Sequence, residues 1–174
     1  SERTKDTPPQ TNIEAPAISV TKKDGTQVPL DINRLAAVVN HACEGLEDVS
    51  ANSILEESIK NLYDGVSISD MKSSLVMSAR TKVEQEPNYS FVTARILLDE
   101  LRSEALSFLG IAEESSHPEM KENYPAAFKA YIDKGVELEM LDPNLKSFDL
   151  NKLGEAIDYD RDYQFTYLGL QTLY

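Results

Sequence analysis

The chain has 174 residues, 41% hydrophobic and 27% charged, which suits one or two small folded domains and argues against disorder over most of its length. Seventeen Lys and Arg against thirty Asp and Glu give a formal charge of −13, which repels nucleic acid at long range. Cys43 is the only cysteine, so neither an intramolecular disulfide nor a Cys-x-x-Cys zinc site is available. No apolar run approaches the ~18 residues that span a bilayer, and Ser1–Pro16 lacks the chemistry of a signal peptide, so the expectation is a soluble, cytoplasmic protein with no nucleic-acid or membrane partner.

Residues 1–17 carry Pro8, Pro9 and Pro16 among polar neighbours without periodicity, the composition of a tail or linker. Two short β-compatible runs, Ile18–Lys22 and Thr26–Leu30, flank Lys23-Asp24-Gly25, a hairpin signal because glycine tolerates positive φ. Asp31 is placed to cap a helix whose apolar positions Ile32, Leu35, Val39, Ala42 and Leu46 alternate steps of three and four, with Gly45 at its end. Ser50 caps a second helix through Leu55, Ile59 and Leu62, and Tyr63-Asp64-Gly65 turns into a short third strand around Val66. Ser69 is expected to cap a third helix carrying Met71, Leu75, Ala79 and Val83 up to Pro87. A fourth runs from Asn88 to Gly110 with Phe91, Ala94, Leu98, Leu101, Ala105 and Leu109 on one stripe.

Beyond Gly110 the texture changes to a polar loop, Glu113–Pro118. Pro125 is expected as the first residue of a helix ending at Gly135, because proline suits the first helical position. Asp149 caps a helix through Ile157, and Tyr159–Tyr174 reads as one further aromatic-rich helical stretch with acidic residues at its start. Tyr174 falls inside an apolar pattern without a cap, so the chain is expected to continue in a longer polypeptide. The fold class is therefore mostly α within α+β: a four-helix bundle capped by a two- to three-stranded sheet, followed by further helices. The division is 1–17 tail, 18–109 first domain and 110–174 a helical second unit.

Catalytic motifs are missing. The seven glycines are too scattered for a phosphate-binding loop, and His41 and Cys43, two apart on a helix, point away from each other and cannot share a metal. Cys43 reads as a small buried hydrophobe and His41 as a half-exposed helix residue. The Asp158–Asp162 carboxylates suit a helix start better than acid–base chemistry. Lys22, Lys23 and Arg34 are different, since the hairpin and the first helical turn place all three near one junction. Ile18–Ala36 holds three basic and two acidic residues, whereas Asp133–Asp162 holds four basic and nine acidic. Two readings of the lysine pair stay open on spacing: an edge-strand device against aggregation, or a polyphosphate site.

Val20-Thr21-Lys22-Lys23-Asp24-Gly25, Leu30–Leu35, Glu44-Gly45-Leu46, Tyr63-Asp64-Gly65-Val66 and Phe91-Val92-Thr93-Ala94-Arg95 resemble, in that order, the ATP-cone, the allosteric overall-activity domain of the class I ribonucleotide reductase large subunit. The resemblance covers about Ile18–Leu106, and Asp158–Leu168 resembles the opening helical region of the same bacterial subunit. It implies a sensor in deoxyribonucleotide synthesis, with ATP activating and dATP inhibiting, held by phosphate contacts and accompanied by magnesium. By linkage, such effectors act only as far as they bind one assembly better than another. The implied partners are the remainder of the large subunit, other large subunits and the small radical-generating subunit. The parent protein would be the enzyme, and this piece would carry no catalytic residue and no metal ligand.

Carried over by position, the resemblance puts Lys22 and Lys23 on the phosphates, Arg34 where a lysine approaches them, Asp31 where an asparagine lies near the base, and Lys72 in place of a histidine. Val28, Ile68 and Ser103 depart from the family's glutamate, threonine and lysine. The alternative implied by those departures is a degenerate inner cone that binds no nucleotide and serves as a structural or subunit-interface module. A cone-bearing transcriptional repressor would need a four-cysteine zinc ribbon, which a lone cysteine cannot supply.

Overall fold

The computed structural model describes residues 17–174, so the expected N-terminal tail lies outside the described residues except for Ala17. Strands β1 (Ser19–Thr21) and β2 (Gln27–Pro29) form the expected antiparallel hairpin, with Val20 opposite Val28. Its turn closes through Lys22 N–H to the Thr26 carbonyl at 2.8 Å and Thr26 N–H to Asp24 Oδ1 at 2.8 Å, while Gly25 takes φ +83°. The third strand, β3 (Val66–Ser67), lies parallel to β1 on its other side, giving the order β2-β1-β3. Asp64 and Gly65 sew it in place: Ser19 N–H donates to Asp64 Oδ1 at 2.7 Å, and Gly65, at φ +81°, donates its N–H to the Ser19 carbonyl at 2.8 Å. A side chain at that left-handed position would be strained, which accounts for Gly65 in the Tyr63-Asp64-Gly65-Val66 run.

Four helices pack beneath this sheet: α1 (Ile32–Cys43), α2 (Ala51–Lys60), α3 (Ile68–Arg80) and α4 (Tyr89–Phe108). Asp31 and Ser50 cap α1 and α2 as expected, accepting from Arg34 N–H and Ser53 N–H. The α3 cap is Ser67 rather than Ser69: its hydroxyl accepts from Asp70 N–H at 3.0 Å, because β3 runs straight into the helix and leaves no room for a loop. The helix also stops at Arg80, and Val83 packs against the core from the next turns of the chain. Val39, Ile54, Leu55, Ala79 and Val92, all fully buried, form the centre of the core with Val20 and Val66 from the sheet.

Helix α4 departs from the single stripe. Tyr89, Val92 and Ile96 face the bundle, whereas Ala94 and Leu98 form a separate small cluster with Leu170, and Ala105 is exposed. Burying two faces blurs a helical period, so a one-stripe reading selects a compromise between them. The second face is covered by a 3-10 turn Tyr159–Gln164 and by α7 (Tyr167–Leu173), while α5 (Met120–Glu137) packs on α6 (Leu150–Glu155), on a 3-10 turn Pro143–Ser147 and on the Tyr159–Gln164 turn.

Two expectations fail in this half. Pro125 lies inside α5, not at its start, because the chain already turns helical at Glu119, whose carboxylate accepts from Ser116 N–H at 2.7 Å and Ser116 Oγ at 2.9 Å. Tyr159–Tyr174 is not one helix: it breaks at Phe165-Thr166, where Thr166 Oγ1 accepts from Gly169 N–H and starts α7 afresh. Asp149 caps α6 as expected. Gly154 of α6 sits against Pro125, and a Cβ there would lie 2.9 Å from Pro125 Cα and 3.1 Å from its carbonyl oxygen. Backbone cannot yield as a side-chain tip can, so Gly154→Ala is expected to lose about 1–3 kcal/mol of stability, read as a lower urea midpoint. An unchanged midpoint would show that α5 and α6 separate freely.

Candidate functional site

The hairpin, the start of α1, the first turns of α3 and the middle of α4 surround a cleft of about 510 Å³. The hairpin turn delivers Lys22 and Lys23, the cap of α1 delivers Asp31 and Arg34, and α3 delivers Lys72. All five residues singled out from the sequence thus line one cleft, together with Val28, Ile68 and Ser103. A volume of that size lies within the range of small-molecule pockets.

The cleft is also more acidic than the hairpin segment suggests. Four basic side chains, Lys22, Lys23, Arg34 and Lys72, face seven acidic ones, of which Asp99, Glu100, Glu104, Glu113 and Glu114 come from α4 and the loop after it. The net positive balance of Ile18–Ala36 does not survive folding, because a window along the chain omits the carboxylates that α4 brings across. Lys23 Nζ lies 3.7 Å from Glu104 Oε1, and Arg34 pairs with Glu114. Ser103 Oγ donates to the Glu113 carbonyl at 2.7 Å, which fixes the loop carrying these carboxylates. Lys22 and Lys72 form no ion pair among the described residues.

Burial pushes the carboxyls of Asp99 and Glu100 above their ordinary range, and the nearby Lys72 ammonium only partly opposes it. A carboxylate whose folded pKa is raised destabilises the fold while charged, and that cost fades as the pH falls through the folded pKa towards its unfolded value of 3.8. Asp99→Asn is therefore expected to be more stable than the unsubstituted chain at pH 7, with the gain shrinking on acidification. Urea unfolding at both pH values checks the sign, and a gain that grows towards low pH would contradict it.

A second set of residues, missed by sequence reasoning as a site, joins the bundle to the C-terminal helices. Arg95 Nη1 donates to the carbonyls of Ala42 at 3.1 Å and Glu44 at 2.8 Å, closing the end of α1, and its guanidinium lies 4.0 Å over the Tyr163 ring. Arg102, 7% exposed, bonds through Nη2 to Asp162 Oδ2 at 3.1 Å and to His117 Nδ1 at 3.0 Å. Tyr124 donates its hydroxyl proton to Asp162, with both carboxylate oxygens within 2.8 Å, and burial with this partner holds the phenol well above its usual pKa. His117 Nε2 lies 3.2 Å from Asp160 Oδ1, and the ring stacks on Tyr163 at 3.7 Å; burial lowers its pKa against the pull of Asp160.

Asp160 and Asp162 therefore bind side chains across the interface rather than merely decorating a helix start, and Asp158 alone acts as a cap, accepting from Asp160 N–H. Cys43, half-buried, packs against the core, where burial raises its thiol to about 11, and His41 Nδ1 lies 3.1 Å from Glu44 Oε1. Among the described residues no helix is long and apolar enough to cross a membrane.

Comparison with known proteins adds the lineage. The family of the ATP cone domain matches residues 18–104. The ribonucleoside-diphosphate reductase subunit alpha of Chlamydia pneumoniae is 35% identical over 156 residues, 89% of this chain and 14% of the relative. That of Chlamydia trachomatis is 33% identical over 174 residues, 99% of this chain and 16% of the relative. The ribonucleoside-diphosphate reductase 1 subunit alpha of Escherichia coli is 26% identical over 159 residues, 88% of this chain and 19% of the relative. The chain thus spans less than a fifth of the length of these curated relatives.

Proposed function

We propose, from the premise that this chain belongs to the ATP-cone family, that it is the overall-activity regulatory module of a ribonucleoside-diphosphate reductase alpha subunit. Residues 18–109 form the cone in this reading, and residues 110–174 open the helical region that leads to the catalytic part. Its cleft takes ATP as activator and dATP as inhibitor, each with magnesium. The observation that carries the reading is the convergence of Lys22, Lys23, Arg34 and Lys72, from three elements of the chain, on one nucleotide-sized cleft.

The residues present fit a polyphosphate in part. Lys22 and Lys72 offer ammonium groups without a carboxylate partner among the described residues, while Lys23 and Arg34 must first leave Glu104 and Glu114. A bound nucleotide supplies the anion that replaces those carboxylates, and Asp31 stands near the base end. An effector changes activity only through the difference in its affinity for two assemblies. The proposed partners are therefore the rest of the subunit, other alpha subunits and the radical-generating subunit. The reaction and its radical chemistry belong to those other parts.

A second reading is favoured by a specific observation: the carboxylate excess in the cleft, together with apolar Val28 and Ile68 in its wall. On that reading the internal ion pairs have replaced the ligand, and the cone acts as a structural or interface module. Calorimetric titration of the chain with ATP and with dATP, each with magnesium, separates the two. Saturable heat with both nucleotides supports the sensor, and no heat with either refutes it in favour of the module that binds none.

A further inference from the structure

His117 ties the bundle to the C-terminal elements at one buried point. It lies in the segment 111–119 that joins α4 to α5, and its side chain is 9% exposed. The ring stacks on Tyr163 at 3.7 Å, with Tyr159 tilted against it at 5.1 Å. Its Nδ1 meets Arg102 Nη2 of α4 at 3.0 Å, and its Nε2 meets Asp160 Oδ1 at 3.2 Å. A guanidinium offers only protons and does not give them up, so Nδ1 presents its lone pair. The single proton of the neutral ring then sits on Nε2 and is donated to Asp160. The junction thus selects one tautomer and the uncharged form.

A further proton can enter only at Nδ1, where it would point at Arg102. That nitrogen would stop accepting, and the guanidinium, whose Nε is already buried without a partner, would be left with a second unpaired donor. The surrounding charges divide. Asp160 and Asp162 favour the proton, but Asp162 is engaged by Arg102 and by the Tyr124 hydroxyl of α5, and Asp160 is 70% exposed, so solvent screens it. Arg102 opposes the proton, and the Arg95 guanidinium lies 4.0 Å over the same Tyr163 ring. Across the adjoining cavity α1 presents Arg34 and His41, which face their own carboxylates Glu114 and Glu44, while Glu119 is bonded to Ser116 and Asp99 of α4 is desolvated. Burial, joined by the Arg102 charge, holds the imidazole below its ordinary pKa of 6.5 against both aspartates.

We propose that His117 makes the joint between the cone and the helices after it sensitive to pH: the neutral ring links Arg102 to Asp160, and protonation at Nδ1 releases Arg102 and loosens the joint. The segment 111–119 and the turn Tyr159–Gln164 are the parts set free, whereas the core around Val39, Ile54 and Val92 takes no part in the contact. The sign follows from linkage. The opened joint takes up its proton near the ordinary 6.5 and the closed joint only below it, so opening grows by about tenfold for each pH unit of fall between the two values. The device works whether or not the cleft holds a nucleotide.

NMR of the imidazoles in the whole chain, from neutral to mildly acidic pH, tests it. The chain has two histidines, so His41→Gln leaves the signals of His117 alone. The ring nitrogens should show the Nε2–H tautomer at neutral pH and a midpoint below 6.5. Amide exchange in 111–119 and 159–164, corrected for its intrinsic pH dependence, should accelerate as the pH falls from 6.5 to that midpoint and then level off. Asp160→Asn should lower the midpoint further, because that carboxylate favours the proton. His117→Asn, whose amide oxygen can accept from Arg102 but cannot titrate, should remove the pH dependence of exchange. A midpoint at or above 6.5, the opposite tautomer, a midpoint raised by Asp160→Asn, exchange that ignores the midpoint, or the same pH dependence in His117→Asn would overturn the proposal. The titration and exchange of the unsubstituted chain decide the matter even if His117→Asn does not fold. Failure here leaves the cleft untouched, because calorimetry with ATP tests that site separately.

Discussion

Arg102→Met is expected to destabilise the chain by about 3–5 kcal/mol, the cost of leaving one member of a buried ion pair without its partner. Arg102 and Asp162 are 7% and 14% exposed at their side chains, so water cannot replace the lost guanidinium. Among the described residues Asp162 would keep only the Tyr124 hydroxyl, and His117 would lose the donor at its Nδ1. The effect should concentrate at the contact between α4 and the 3-10 turn Tyr159–Gln164. Urea unfolding measures it, and amide exchange along residues 158–167 locates it. Adding Asp162→Leu to Arg102→Met should recover part of the loss, since no buried charge is then left unpaired and only the Tyr124 hydroxyl loses its acceptor. A single variant within 1 kcal/mol of the parent, on the order of a surface change, would show that the pair is not buried in solution.

The double variant Lys22→Ala/Lys72→Ala should weaken ATP and dATP binding by more than about a hundredfold, at ~1.5 kcal/mol or more for each charge-assisted contact and 1.4 kcal/mol for each tenfold. These two lysines are chosen because neither has an ion-pair partner among the described residues, unlike Lys23 and Arg34. Removing these cations breaks no ion pair, although losing Lys72 leaves Asp99 and Glu100 less compensated. Replacing Lys23 or Arg34 would also release Glu104 or Glu114, which would then repel the phosphates. Calorimetry of the double variant beside the parent gives the ratio. Equal affinities would place the nucleotide elsewhere and dissolve the assignment of this cleft.

Local signals are legible in the sequence wherever one residue's own chemistry governs the backbone. Gly25 and Gly65 take the positive φ that their turns need, and Asp31, Ser50 and Asp149 cap the helices they precede. Each of these depends on atoms within a few residues. Ser69 and Pro125 mislead because a neighbour outcompetes them: Ser67 at the end of β3 offers the earlier cap, and the Glu119–Ser116 contacts begin α5 before the proline. The five residues proposed for the site do converge, yet the cleft's charge cannot be summed along the chain, because five of its seven carboxylates lie more than sixty residues beyond the hairpin.

The sequence by itself determined the hairpin, the order of helices, the segment that lines the cleft with basic groups and the resemblance carried by ordered motifs. These rest on spacing of two, three or four residues and on single-residue backbone preferences, which are local. Only the tertiary structure decided how the helices after Gly110 engage the cone. Arg95 closes α1 and stacks on Tyr163, and Arg102 meets Asp162 sixty residues away. Only there, too, did the cleft prove acidic. Charges separated along the chain become neighbours through packing, and in a water-poor interior each is then governed by the partners that packing supplies.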